Sequence, residues 1–242
     1  MKTHTTVFTS ADELAEKTAE KIISIGHQAI SMHGHFSWSL AGGKTPKMVY
    51  EVLAKKHKES IDWKKVHLFW GDERDVISTH PDSNFGMAKN VLMDPIGFPD
   101  ANIHRIGTEE DCMLAAQQAE DDIKDFFGLS DGGFPKFDLI LLGLGEDGHT
   151  ASLFPGTDGI TETKFLVMDN FVKKLGRHRV TFTFPTINHA SNVLFLVSGK
   201  SKSSIIKQVL QGSTEDILPA QMVRPAGELY WYLDKEAASE LQ

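Results

Sequence analysis

Asp147 and His149 stand two residues apart in "GLGEDGHTASLFPG" (residues 143–156), directly after the apolar run "FDLILL". A carboxylate that near an imidazole can fix its tautomer and stabilise the imidazolium, the usual support for a histidine general base. The glycines of the same stretch, Gly143, Gly145 and Gly148, also satisfy G-x-G-x-x-G, with Asp169 placed further on where a ribose-binding acid would stand. A dinucleotide site needs a helix opening at that turn. The residues that follow, "HTASLFPGTDGITETK", are broken by Pro155, Gly156 and Gly159, and Glu146 and Asp147 would set carboxylates against the phosphates. That pattern is a decoy.

Other polar groups fall at comparable places. "LAGGKTP" (40–46) offers Gly42, Gly43 and the Thr45 hydroxyl between a strand and a helix, a place suited to a phosphate monoester. A plain strand–helix turn explains that loop as well. Trp38 stands where a Walker A motif needs its first glycine, so a P-loop is not expected. "WGDERDV" (70–76) delivers Asp72, Glu73 and Arg74 after an apolar strand, and "SGKSKSS" (198–204) delivers Lys200 and Lys202 before a helix. Isolated charge runs usually sit in solvent, and each loop alone is a weak signal. Lysines at a helix N-terminus oppose the dipole, and a bound anion would explain them. Taken together, the loops suggest a phosphorylated small molecule whose other end meets a carboxylate-supported histidine. Cys112 reads as a small buried hydrophobe. His33-x-His35 has no zinc-motif companions, so no metal site is expected.

The elements that must position these loops alternate between strand and helix. "TTVFTS" reads as a strand. "SADELAEKTAEKIISIGHQAISMHG" reads as a helix with a capping box at Ser10 and Glu13. "TPKMVYEVLAKKHKE" is a helix with Thr45 at its cap and Pro46 at its first position. "EEDCMLAAQQAEDDIKDFF" is a helix enclosing Cys112, and a last helix begins at Asp234. "HFSWSL", "FDLILLGLG", "FLVMD", "RVTFTF", "NVLFLVSG" and "ELYWYLD" are strands, and "VHLFWGDE" is a strand into a polar loop. The alternation predicts a three-layer α/β/α fold with a mostly parallel sheet, spanning residues 1–242 as one domain. Ligands of such sheets bind beyond the carboxyl ends of the strands.

The formal charge of -8 argues against a nucleic-acid or anionic-membrane surface, and any anion site must concentrate cations against that field. One cysteine allows no intrachain disulfide. No signal-peptide core or membrane span is evident, so a cytoplasmic protein is expected.

"LAGGKTP", "WGDERDV…HPDSNFGMAKNVL", "GLGEDGHTASLFPG", "RVTFTFPTIN", "VSGKSKSSIIKQVL" and "LPAQMVRPAGELYWYLD" together resemble, in order, the motifs of the 6-phosphogluconolactonase family. The resemblance implies a modified Rossmann-like α/β/α domain, shared with glucosamine-6-phosphate deaminase, that works without a cofactor. It implies hydrolysis of 6-phosphogluconolactone to 6-phosphogluconate in the pentose phosphate pathway, with a phosphorylated sugar lactone as the partner. By motif, His149 is the base that activates water and Asp147 orients it. Arg74 and Lys202 bind the phosphate or ring oxygens, Gly42, Gly43 and Thr45 form the cradle, and Arg179 takes the arginine position of "RVTFTF". Asp72 matches a proton-moving aspartate of the deaminases; a lactonase needs no such step, and Asp72 is placed among the substrate-binding residues, with orientation of Arg74 as one role open to it. The prolines that usually precede the motif arginine are replaced in "KKLGRHRVTFT", which leaves Arg177 as a competitor of Arg179, and Ile77 replaces a common proline. A deaminase or isomerase of the same fold is the alternative enzyme, but Leu153 and Phe154 stand where its glutamate–proline pair belongs. A non-catalytic sugar-phosphate sensor is the alternative from another class, and the chain has no spare helical DNA-binding module. The protein is expected as a monomer or small homo-oligomer.

Overall fold

The computed structural model describes residues 2–212 and 217–241. Seven strands form one sheet: β1 (Lys2–Phe8), β2 (Phe36–Leu40), β3 (Val66–Trp70), β5 (Ile103–His104), β6 (Leu139–Leu142), β9 (Asn192–Val197) and β10 (Glu228–Asp234), in the order β1-β10-β9-β6-β2-β3-β5. Every pairing in it is parallel. All residues of β2 and β6 are buried, as strands covered on both faces must be, and β6 is apolar throughout. Helix α1 (Ala11–His33) lays its stripe Leu14, Ala15, Ala19, Ile22, Ile23 and Ala29 against the core, and α2 (Lys44–Lys56) packs beside it. From the centre of the sheet the chain runs outward through β2, β3 and β5, then returns and runs the other way through β6, β9 and β10. The reversal between β2 and β6 is the topological switch point where such sheets bind ligands.

A second sheet was not foreseen. β4 (Asp72–Arg74) pairs antiparallel with β8 (Arg177–Phe182), and β8 with β7 (Val167–Val172). "FLVMD" and "RVTFTF" thus leave the main sheet. The residues read as a polar loop after β3 are the edge strand of the smaller one. Only Gly71 separates β3 from β4. Its N–H donates to the Leu40 carbonyl of β2 at 3.1 Å, and its carbonyl accepts from the Phe182 N–H of β8 at 2.8 Å, so one residue joins both sheets. Helix α5 (Cys112–Phe127) packs on β7 and β8.

Several boundaries differ from the sequence reading, each for a local reason. Ser10 caps α1 through the Glu13 N–H, but the Glu13 carboxylate returns to the N–H and hydroxyl of Thr9 rather than to Ser10. The α2 cap is Gly43 at φ 99°, two residues before Thr45. Pro46 is tolerated at the third position because first-turn N–H groups have no helical partner. Cys112 is the first residue of α5 rather than an interior one, since Asp111 accepts the Leu114 N–H and caps there. Its thiol is buried, as read. No helix follows Asp234: its carboxylate is taken by the N–H groups of Gly199 and Ala237, and residues 235–240 form turns. Residues 84–96 form α3 (Asn84–Ala88), a π-turn (Lys89–Met93) and α4 (Asp94–Ile96). Among the described residues no helix is long and apolar enough to cross a membrane.

Candidate active site

The carboxyl ends of β2, β3 and β6 open on a cavity of about 160 Å³, whose wall includes Gly42, Asp72, Arg74, Gly143, His149 and Ala151. The chain leaving β6 turns through Gly148 at φ 78° and folds back, so that Gly145 N–H donates to the His149 carbonyl at 2.8 Å. The imidazole lies directly over Gly145. A Cβ at that position would stand 1.9 Å from His149 Nδ1, so only glycine leaves the ring room. The expected pair is formed: His149 Nδ1 lies 2.5 Å from Asp147 Oδ1, and the ring stacks on Phe154 with centroids 3.9 Å apart. No crossover helix follows this turn; between β6 and β7 there is one 3-10 turn, Asp158–Ile160. The helix N-terminus that a pyrophosphate would need is not there.

Burial pushes the His149 pKa below its ordinary value; hydrogen bonding and charge from Asp147 oppose this, and Lys174 adds to it. For Asp147, burial alone would raise the pKa. The Lys174 ammonium on Oδ2 and the bonds to His149 outweigh it and hold the carboxyl well below the usual range. Lys174 was missed in the sequence, where it is one lysine of "KKLG" and lies 27 residues from its partner.

Strand alternation sorts the three charges of β4. Asp72 and Arg74 line the cavity, whereas Glu73 is 2% exposed and caps α3. It accepts from the N–H groups of Arg74, Asn84 and Phe85 and from the Ser83 hydroxyl. Burial raises its pKa against those donors. Asp72 does not orient Arg74. Its carboxylate accepts from Ser152 Oγ at 2.7 Å and Asn84 Nδ2 at 3.2 Å, while Arg74 Nη1 donates to the Asp82 carbonyl at 2.8 Å. Each group already has a nearer partner. Gly42 is held close to Asn84, where a Cβ would fall 1.7 Å from Oδ1.

Arg179 stands directly opposite Arg74 in the β4–β8 ladder; Arg177 lies at the exposed far end of β8. Burial, then the neighbouring Arg74, lowers the Arg179 pKa. Among the described residues neither guanidinium forms an ion pair. Like charges opposed on one sheet face are destabilising, and an anion between them would relieve this. Gly43, Thr45 and Lys202 lie outside the cavity wall. Thr45 Oγ1 is bonded to Ser198 Oγ at 2.8 Å, which joins the start of α2 to the loop after β9. Lys202 ends the short turn before α7 (Ser203–Gln211), on that same loop. Among the described residues no cluster of three metal-ligating side chains exists.

A carboxylate-supported histidine and Arg74 line one cavity at the switch point of a parallel α/β sheet, with Arg179 opposite Arg74 in the smaller sheet. A sequence-family profile described as glucosamine-6-phosphate isomerases/6-phosphogluconolactonase matches residues 9–231, and the chain belongs to this family. It is 44% identical to the 6-phosphogluconolactonase of Synechocystis sp. over 89% of this chain and 88% of that one. It is 38% identical to that of Nostoc sp. over 100% and 99%. The solved 6-phosphogluconolactonase of Trypanosoma cruzi superposes with a TM-score of 0.88 at 30% identity, covering 100% of this chain and 97% of that one. A monomeric glucosamine-6-phosphate deaminase, at 21% identity and TM-score 0.80, shares the fold.

Proposed function

We propose that this protein hydrolyses 6-phosphogluconolactone to 6-phosphogluconate, with His149 as the base. The observation that carries the reading is the Asp147–His149 pair at 2.5 Å on the wall of a cavity that also holds Arg74, with Arg179 beside it. With Nδ1–H committed to Asp147, Nε2 is the nitrogen left to take a proton from water. The hydroxide equivalent adds to the lactone carbonyl carbon. Collapse of the adduct breaks the bond to the ring oxygen, which takes the proton back from Nε2, and the new carboxylic acid ionises into solvent. The downward shift of the His149 pKa favours the neutral imidazole, the state a base requires.

The phosphate falls to Arg74 and Arg179, with Lys202, Gly42, Gly43 and Thr45 on the adjoining loops. Asp72, held by Ser152 and Asn84, shapes the cavity wall. A deaminase is disfavoured because Leu153 and Phe154 are buried where its acid–base glutamate belongs, and Phe154 instead supports the imidazole. The deciding assay follows 6-phosphogluconolactone loss above spontaneous hydrolysis, alongside ammonia release from glucosamine 6-phosphate. Ammonia release at a comparable rate, or no acceleration of lactone loss, refutes the proposal.

A further inference from the structure

Lys174 lies on the turn between β7 and β8, closed by Leu175 N–H to the Val172 carbonyl at 2.9 Å. It reaches across to Asp147 Oδ2, the carboxylate oxygen that His149 does not use. Its ammonium also sits 4.6 Å from the centroid of Phe154, the ring on which the imidazole stacks. It therefore touches both supports of His149. We propose that Lys174 is a positioning residue of this site, holding Asp147 and Phe154 against His149 and keeping the imidazole in its neutral, proton-accepting form. The proposal rests on the lactonase reading only in calling that form the active one.

Exposed ion pairs add little to stability, and the Lys174 side chain is 51% exposed. Its value to the fold is therefore small. Its value to the chemistry is not, because the charge acts on a partly desolvated dyad. Asp147 alone would favour the imidazolium, and a cation on the far oxygen of the carboxylate offsets that pull. The charged groups facing His149 are Asp147 from its own loop, Lys174 from the β7–β8 turn, Asp72 and Arg74 from β4, and Arg179 from β8 beyond them. Asp72 acts in the same direction as Asp147, and Lys174 opposes both carboxylates.

The test compares wild type, Lys174→Met and Lys174→Arg in the full chain. The His149 imidazole is titrated by NMR, with the His149→Ala spectrum for assignment, and kcat/KM for the lactone is measured against pH. Lys174→Met is expected to move the His149 titration to higher pH and to carry the acid limb of kcat/KM with it. The loss is about three- to ten-fold near pH 6, with about two-fold on the plateau, since one unit of displacement is ten-fold in protonation. Tm should stay within about 3 °C, and Lys174→Arg should restore the wild-type titration. An unmoved titration in Lys174→Met, or an arginine variant as defective as the methionine one, overturns the proposal. The titration needs no substrate, so a wild type without lactonase activity would sink the functional reading and still decide the role of Lys174.

Discussion

Replacing Gly145 with alanine tests how tightly the base is held. Gly145 does not adopt a left-handed conformation, so its backbone accepts alanine, and the three atoms nearest an added Cβ all belong to the imidazole. The added Cβ would lie 1.9 Å from His149 Nδ1, 2.1 Å from Cε1 and 2.7 Å from Cγ. Non-bonded carbon and nitrogen need roughly 3.5 Å, so the ring must move by at least about 1.5 Å. Phe154, stacked at 3.9 Å, blocks retreat along the ring normal, so the ring must swing toward solvent and open its 2.5 Å bond to Asp147. A misplacement of that size, with the orienting bond lost, should lower kcat by about 10²- to 10³-fold. Stability should fall by only about 0.5–2.6 kcal/mol. Losing one charge-assisted bond costs about 1.5–3 kcal/mol, and the stiffer unfolded chain returns about 0.4–1. Tm is then expected to fall by less than about 8 °C. The measurement is lactone hydrolysis above background together with calorimetric unfolding. Gly143→Ala, whose Cβ would meet nothing within 4 Å, serves as the comparison and should keep the wild-type Tm and His149 titration. Wild-type kcat in Gly145→Ala would refute the reasoning, as would a loss of activity that merely follows unfolding.

Arg179→Ala should lower kcat/KM for 6-phosphogluconolactone by about ten- to a hundred-fold and leave unphosphorylated gluconolactone within a few-fold, because a charge-assisted contact to phosphate is lost; equal losses on both lactones would remove Arg179 from the phosphate site. Lys202→Ala, measured on the same two substrates, should show the same selectivity with a smaller loss, since Arg179 is paired with cavity-lining Arg74 while the lysine sits on the loop after β9; a loss as large as that of Arg179→Ala would mean that its loop closes over the phosphate. On the opposite edge of the sheet, burial and then the neighbouring His104 and His35 push the His67 pKa down to about 4. The unfolded ring protonates near 6.5 and the folded ring does not, so stability is level above that pH and falls as pH drops from there toward 4. The loss is at most about 3 kcal/mol, reduced by the partial exposure of the ring. His67→Phe should flatten the Tm-versus-pH curve over this window, and an unchanged slope would exclude His67 as its source.

The main sheet was legible because central strands such as β6 and β9 are apolar runs and they alternate with helical stretches, of which α1 carries its own side-chain cap. The dyad was legible for the same reason: Asp147 and His149 are two residues apart after one such strand, and their contact is local. The second sheet was not. "DER" is too short and polar to read as a strand, and only pairing with Arg179, Val180 and Thr181, a hundred residues further along, makes it one. Lys174 escaped notice for an equal cause, since its partner and its aromatic support both come from a distant loop. The Gly43 cap was misplaced because Pro46 is compatible with more than one position of the first turn, and hydrogen bonding of Thr45 to Ser198 could not be seen from neighbours in sequence.

Gly71 rivets the two sheets together, and this gives the pocket the character of a caliper. One jaw, Arg74 and Arg179, is carried by the small sheet; the other, His149, rides on the loop after β6 of the large one. A sugar gripped by its phosphate in the first jaw presents to the second whichever carbon lies at that span. On the proposed reading, a lactone one carbon shorter would be held as firmly and yet leave its carbonyl short of the base. Choice among ring sizes would then rest on the spacing of two backbones rather than on the outline of the cavity, and substitutions that loosen the rivet would broaden the substrates accepted before they weaken the grip.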